Sequence, residues 1–262
     1  MTVIEGEGTP ESHWLPWLAR TRLPPAELPA PGSGTQRALV VAGHPDDEVL
    51  GAGGLLHLLA RHGWQVDVVW ASDGEASHPG STATSRADLA RRRRLESAAA
   101  RLELGLSGST TWLALPDSGL GPHEGAVTDA VTGLAEGADL LVATWHQDGH
   151  PDHEVCGRAA LAAGRDRGVA VWEVPIWAWH WGRADELADR WGHARTVELD
   201  EAARTAKAAA VAQFLSQVRP LGPDAADRAV LGPHVLARFC RPFEVVLCTD
   251  PQAPTTATGG RP

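Results

Sequence analysis

The chain has 262 residues, of which 43% are hydrophobic and 21% charged, with a formal net charge of -10. That length can bury one large core, and the acidic balance argues against nucleic acid as a non-specific partner. Cys156, Cys240 and Cys248 form no CxxC pair, no apolar run approaches the roughly 20 residues of a membrane helix, and the first residues lack a leader's basic flank and apolar stretch. The expectation is a cytoplasmic protein with reduced thiols and no membrane partner.

Met1–Gly34 is rich in Pro, Gly and Glu around His13-Trp14-Leu15-Pro16-Trp17-Leu18, and reads as a short helix and an extended arm anchored by the two tryptophans. From Arg37 strand and helix patterns alternate. Strands are predicted at 37–42, 65–71, 110–115, 139–144 and 169–174, and helices at 48–62, 85–104, 123–136 and 153–167, the first two closed by Gly63 and Gly105. Such alternation gives a parallel, doubly wound sheet.

After Pro175 the pattern loosens. Ile176-Trp177-Ala178-Trp179-His180-Trp181-Gly182 reads as an aromatic loop, 183–191 as a short helix and 196–198 as an edge strand. One helix is expected over Asp200–Gln217, with Asp200 as its N-cap, and a last strand at 243–248. The fold class is therefore α/β, Rossmann-like and mostly parallel, with helices on both faces. It divides into an arm at 1–36, a domain at 37–249 and a disordered tail at 250–262.

Two polar clusters interrupt this apolar scaffold. The first strand runs into His44-Pro45-Asp46-Asp47-Glu48, and the fourth into Asp148-Gly149-His150-Pro151-Asp152-His153. In the common doubly wound order these two strands are neighbours at the switch point, where ligands bind beyond the strands' carboxyl ends. Alone, each cluster reads equally as a strand-end turn with a helix cap; together they bring His44, Asp46, Asp47, His150 and His153 towards one crevice. Two imidazoles and a carboxylate with an open position form a recognised catalytic metal arrangement, leaving a carboxylate and an imidazole for acid–base work.

Gly43-His44-Pro45-Asp46-Asp47-Glu48 with His150-Pro151-Asp152-His153 resembles the LmbE-like (PIG-L) zinc-dependent N-deacetylases, whose first motif is usually AHPDDE. The similarity spans about Arg37 to Val174. Ser72-Asp73-Gly74-Glu75, the run Arg91–Arg94 leading to Glu96, and Asp117-Ser118-Gly119 also look like that family. The resemblance implies that His44, Asp47 and His153 bind one zinc ion, with iron or cobalt as chemical alternatives. It implies Asp46 as the general base towards the attacking water. His150 would stabilise the oxyanion and protonate the departing amine, and Arg93 and Asp117 would contact a sugar. The chain has no tyrosine, whereas some relatives use a mobile active-site Tyr, so that stabilisation would fall more heavily on His150.

Other features carry two readings. The arginine run is a solvated helix face except at Arg93. Asp117 serves equally well to open a turn. Trp177 and Trp179, at alternate positions beyond the fifth strand, read as a stacking platform for a sugar ring and so as substrate-binding residues, with a core role as the alternative. His180 suits a structural role or a donor into the site, and Glu48 caps its helix or supports a ligand. The expected activity is removal of an N-acetyl group from an N-acetylglucosamine-type moiety of a small conjugate. The alternatives are an amidase for a larger N-acyl or thiol conjugate, a nucleotide-binding or methyltransferase-like module suggested weakly by Gly51-Ala52-Gly53-Gly54, and a silent sugar-binding protein. Homo-oligomerisation is left open.

Overall fold

Alternation along the first strand decides how the sheet divides the core. In β1 (Arg37–Ala42), Ala38, Val40 and Ala42 face one side, and Leu39 and Val41 face the other. The computed structural model describes residues 6–27, 34–188 and 190–249. It contains one seven-stranded sheet in the order β3-β2-β1-β4-β5-β7-β6. The remaining strands are β2 (Gln65–Ser72), β3 (Thr110–Leu115), β4 (Leu140–Thr144), β5 (Ala170–Val174), β6 (Ala194–Glu198) and β7 (Phe243–Thr249).

The first five strands are parallel, and β1 lies between β2 and β4, which makes β1/β4 the switch point. One strand departs from a uniformly parallel sheet: β7 runs antiparallel to both β5 and β6. The helices are α1 (Glu11–Thr21), α2 (Asp47–Arg61), α3 (Arg86–Glu103), α4 (Glu124–Leu134), α5 (Pro151–Arg167), α6 (Ala178–Trp181), α7 (Ala184–Leu187), α8 (Glu201–Val211), α9 (Leu215–Val218) and α10 (Pro233–Leu236). Leu50, Leu55, Leu56 and Leu59 of α2 cover the face holding Val40, whereas Val127 and Val131 of α4 and Val155 and Ala159 of α5 cover the face holding Val41.

The N-terminal segment is built into this core. Trp14 is fully buried, donates its Nε1–H to the Trp179 carbonyl at 2.9 Å and sits edge-on to the Trp179 ring at 5.0 Å. Pro25 forms an isolated parallel bridge with Thr196 on β6. The expected tail at 250–262 lies outside the described residues. Among the described residues no helix is long and apolar enough to cross a membrane.

The helix expected over Asp200–Gln217 is two helices. Asp200 caps α8 as the sequence suggests, accepting from the Ala203 N–H at 2.8 Å. The chain then breaks at Ala212–Phe214, because Ser216 is drawn to the buried Glu96 carboxylate through its backbone N–H at 2.8 Å and its hydroxyl at 2.6 Å.

Candidate active site

Beyond Ala42 the chain turns sharply: Asp46 adopts φ 120°, a region that a side chain rarely enters, and α2 begins at Asp47. Beyond Thr144 it turns through Gly149 at φ 79° into α5, with His150 as N-cap and Pro151 as first helical residue. The two turns bring three side chains together, two imidazole nitrogens and both oxygens of one carboxylate. His44 Nδ1 lies 3.3 Å from His153 Nε2 and 3.4 Å from Asp47 Oδ2, and His153 Nε2 lies 3.2 Å from Asp47 Oδ1.

Those spacings suit one small cation, since tetrahedral ligands at about 2.0–2.1 Å from a zinc-sized ion stand roughly 3.3 Å apart. Each imidazole is also held from behind. His153 Nδ1 meets Asp148 Oδ2 at 2.7 Å, and His44 Nε2 meets Asp117 Oδ1 at 3.1 Å and Asp152 Oδ2 at 3.3 Å. With the outer nitrogens donating to carboxylates, the inner nitrogens Nδ1 of His44 and Nε2 of His153 turn lone pairs towards each other and Asp47. Such an arrangement needs a positive charge at its centre, and the residues therefore fit a metal ion.

The protonation behaviour follows from the same geometry. Burial alone would lower the pKa of His44, but Asp117, Asp152 and Asp47 outweigh it and raise it well above the ordinary range. Burial is likewise outweighed at His153, which Asp47 and Asp148 raise to about 9. Burial would raise Asp47, yet the His153 and His44 imidazoles hold it well below the usual carboxylate range. Its neighbour moves the other way: burial pushes Asp46 up to about 7 although Arg93 opposes it.

His150 stands beside the three, its ring centre 4.9 Å from that of His44 and 4.6 Å from that of His153. Its Nδ1 accepts from the Asp152 backbone N–H at 3.3 Å, so the neutral ring carries its proton on Nε2. Burial, then the neighbouring imidazoles, lower its pKa to about 3. Arg93 is buried beneath Asp46, with Nη2 2.9 Å from Asp46 Oδ2 and also donating to the Pro45 carbonyl, and Nη1 donating to the Gly74 carbonyl at 2.8 Å. A cavity of about 760 Å³ opens over this cluster, with Leu50, Ser118, Trp177, Gln217 and Leu231 among its walls.

Residues 39–164, the span that contains both turns, match the PIG-L family, described as GlcNAc-PI de-N-acetylase. That likeness to a PIG-L (LmbE-like) domain covers just under half of the chain. It is 32% identical over 191 residues to a 1D-myo-inositol 2-acetamido-2-deoxy-alpha-D-glucopyranoside deacetylase from Mycobacterium sp. (strain KMS), covering 62% of this chain and 59% of that protein. The chain thus spans about three fifths of the length of the curated relatives it matches. Among solved structures it is similar to the zinc-inhibited form of teicoplanin deacetylase Orf2, with 26% identity and a TM-score of 0.57 over 70% of this chain and 85% of that one. The A40926 pseudoaglycone deacetylase Dbv21 shares the fold, with 24% identity and a TM-score of 0.62 over 84% and 100% of the two chains.

Within the matched span and the segments flanking it, the residues expected at the site separate into groups. His44, Asp46, Asp47, His150 and His153 come together. Trp177 lines the cavity. Trp179 does not, a correction to the platform expected from its spacing: it is 3% exposed, packed edge-on against Trp14 and Trp191, with the Arg241 guanidinium 3.9 Å above its ring. Arg93 and Asp117 reach the cavity wall, where Arg93 pairs with Asp46 and Asp117 with His44 and the Ala76 N–H, while Arg93 Nε has no partner among the described residues. His180 bonds Arg238 through Nδ1 at 3.2 Å, and His146 pairs with Glu173 at 2.8 Å.

The reading from sequence gave no role to Asp148 or Asp152, although both lie inside the second cluster. Asp152 Oδ2 and Oδ1 accept from the Ser118 and Leu120 N–H groups at 2.7 and 3.1 Å, tying the loop after β3 to His44. Asp148 accepts from the N–H groups of Ile176, Trp177 and Ala178, each at 2.9 Å, as well as from His153. Their signal was the density of acidic residues between two histidines at a strand end, which does not say which carboxylate faces which ring.

Proposed function

We propose that this chain is a metal-dependent hydrolase that removes the acetyl group from an N-acetylglucosamine-type moiety of a small conjugate. The observation that carries the proposal is the convergence of His44 Nδ1, Asp47 and His153 Nε2 within 3.2–3.4 Å of one another beneath a cavity, with Asp46 and His150 on either side. The likeness to two proteins named as deacetylases, one acting on an acetamido-glucopyranoside, supports the reaction and the substrate class.

His44, Asp47 and His153 are assigned as ligands of a zinc ion, which when bound would polarise the amide carbonyl and make a water molecule more acidic. Asp46 is assigned as the general base. A base works best with a pKa near the working pH, and burial brings Asp46 to about 7. Arg93 holds its carboxylate in place through the 2.9 Å ion pair. His150 is assigned to the developing oxyanion: its Nδ1 is occupied by a backbone N–H, so Nε2–H is the donor it offers. A neutral imidazole has no proton to spare, so the proton for the departing amine is the one that Asp46 takes from the water. Asp148, Asp152 and Asp117 fix the two ligand imidazoles in the tautomers that binding requires.

The cavity of about 760 Å³ falls in the range of sites that enclose drug-sized ligands, which supports a conjugate rather than a free monosaccharide. Trp177 is assigned to its wall as a surface for the sugar or its aglycone. The test is acetate release by zinc-loaded enzyme from a panel of N-acetylglucosaminides, paired with longer N-acyl analogues. Release with retained metal but lost turnover in Asp46→Asn supports the assignment. No amine product from any acetylated substrate by metal-replete protein would overturn it, and product from the longer acyl chains alone would move the reading to an amidase.

A further inference from the structure

Gln217 is 1% exposed, lines the cavity and lies well outside the span shared with the PIG-L family. It stands in the short α9, which exists because the chain breaks after α8. Phe214 fills a core pocket with Val49 and Leu104, and Glu96 takes both the backbone N–H and the hydroxyl of Ser216. Arg92 Nε pairs with the same carboxylate at 2.9 Å. The break therefore turns α9 across the cavity and is fixed by buried bonds.

Those bonds also settle which way the Gln217 amide faces. The Ser216 hydroxyl gives its proton to Glu96 Oε2, so towards Gln217 it offers only lone pairs. The amide atom 3.0 Å from Ser216 Oγ must be the NH2 group, which also reaches Ser77 Oγ at 3.3 Å. Both donor hydrogens are thus used inside the protein. What remains is the carboxamide oxygen, to which no described residue donates. Burying a polar group with unused capacity at a cavity wall is costly unless something in the cavity completes it.

We propose that Gln217 is a specificity-determining substrate-binding residue whose carboxamide oxygen accepts a hydrogen bond from a hydroxyl group of the ligand. The inference rests on the deacetylase reading for the identity of that ligand as a sugar conjugate. A neutral acceptor held rigidly by Ser216 suits a neutral hydroxyl donor, and it rewards a ligand that carries the hydroxyl at one ring position.

The experiment compares wild type, Gln217→Met and Ser216→Ala as full-length, zinc-loaded protein. Steady-state acetate release is measured with methyl N-acetylglucosaminide and with analogues each lacking one ring hydroxyl. Gln217→Met is expected to raise KM roughly tenfold with kcat changed by no more than about twofold, as loss of a binding hydrogen bond predicts. One analogue should lose the same factor against wild type and show no further loss against Gln217→Met. Ser216→Ala, which loosens the amide without removing it, should raise KM by about threefold.

Affinity is read separately by calorimetry with methyl glucosaminide, which requires no turnover. Equal affinity of this probe for wild type and Gln217→Met, or binding to neither, would overturn the proposal whether or not acetate is released. Absence of turnover with that affinity difference intact would instead count against the deacetylase reading alone.

Discussion

Replacing Asp148 by Asn exchanges one oxygen of a buried carboxylate for an NH2 group and tests the proposed metal centre most directly. The carboxylate accepts four hydrogen bonds: from Ile176 and Ala178 at Oδ1, and from Trp177 and His153 Nδ1 at Oδ2. An amide can accept at one end only, so whichever way it turns, its NH2 group faces two donors. Two bonds to a charged acceptor are lost, at about 1.5–3 kcal/mol each, for an expected loss of roughly 3–6 kcal/mol in folding stability. The effect on the metal is more specific. If the NH2 group faces His153, that ring can restore a bond only by moving its proton from Nδ1 to Nε2, which blocks the nitrogen assigned to the ion. Loss of such a partner weakens binding by about 10–100-fold. Competition of Asp148→Asn against a chromophoric chelator measures that affinity, and urea unfolding with and without zinc measures the stability. Zinc binding as tight as in wild type would refute the assignment of His153 Nε2 as a ligand held in its tautomer by Asp148.

Three further outcomes are expected. Glu244 accepts from Lys207 Nζ at 2.7 Å and from the Gly54 and Leu55 N–H groups at 2.8 and 2.7 Å, pinning β7 to α2. Glu244→Ala leaves Lys207 buried without its partner and should cost about 3–5 kcal/mol by urea unfolding, whereas a loss below about 1 kcal/mol would mean that the pair contributes little. Trp179→Ala should lower stability by about 3–5 kcal/mol with KM unchanged, and Trp177→Ala should raise KM; the reverse pattern would exchange their places. Burial would raise the pKa of Asp67, but Arg37, Gln65 and Ser109 lower it below the ordinary value. A depressed carboxylate contributes stability above its unfolded pKa of about 3.9 and loses it as pH falls through the folded value. The stability difference between wild type and Asp67→Asn should therefore be constant near neutrality and shrink in acid, and a difference independent of pH would contradict the pairing.

The apolar runs and caps made most of the fold legible before any coordinates. Strands β1 to β5 stand where the runs predicted them, Ser85 and Asp200 cap helices as their residue types suggest, and His150 stands at the cap that Pro151 implies. The direction of β7 was not legible, because Phe243–Cys248 buries the same side chains whichever way it runs. The break before α9 was hidden for a similar reason: Val211, Phe214, Leu215 and Val218 keep a helical apolar rhythm across it, and what breaks the helix is Glu96, 120 residues away from Ser216. The tryptophans illustrate how one local event redirects a reading. Alternate residues share a face only in an extended chain. Here Asp148 gathers the N–H groups of Ile176, Trp177 and Ala178, and the chain coils into α6. At about 100° per residue, Trp179 is turned roughly 200° from Trp177, into the core, and Trp181 comes back towards the side of Trp177. Their ring centres are 6.3 Å apart.

The same long-range dependence explains why two adjacent aspartates can carry opposite duties. A tandem Asp46-Asp47 in a low-dielectric site would repel itself if both carboxylates shared one environment. The backbone separates them. With φ 120° at Asp46, that side chain drops onto Arg93, while Asp47, now the first residue of α2, folds back so that its Oδ2 accepts from the His44 N–H at 2.8 Å and its carboxylate faces both ligand imidazoles. A conformation this unfavourable persists only when its surroundings hold it. Here the hold comes from Arg93, which bonds the carbonyls of Pro45 and Gly74, and from α2, whose Val49 and Leu50 N–H groups donate to the Asp46 carbonyl at 3.0 and 2.9 Å. The consequence is a carboxylate raised to about 7 beside one held well below the usual range, which suits the first to the base role and the second to the ligand role proposed for them. The tandem is therefore usable only because an arginine 47 residues further along the chain is buried beneath it.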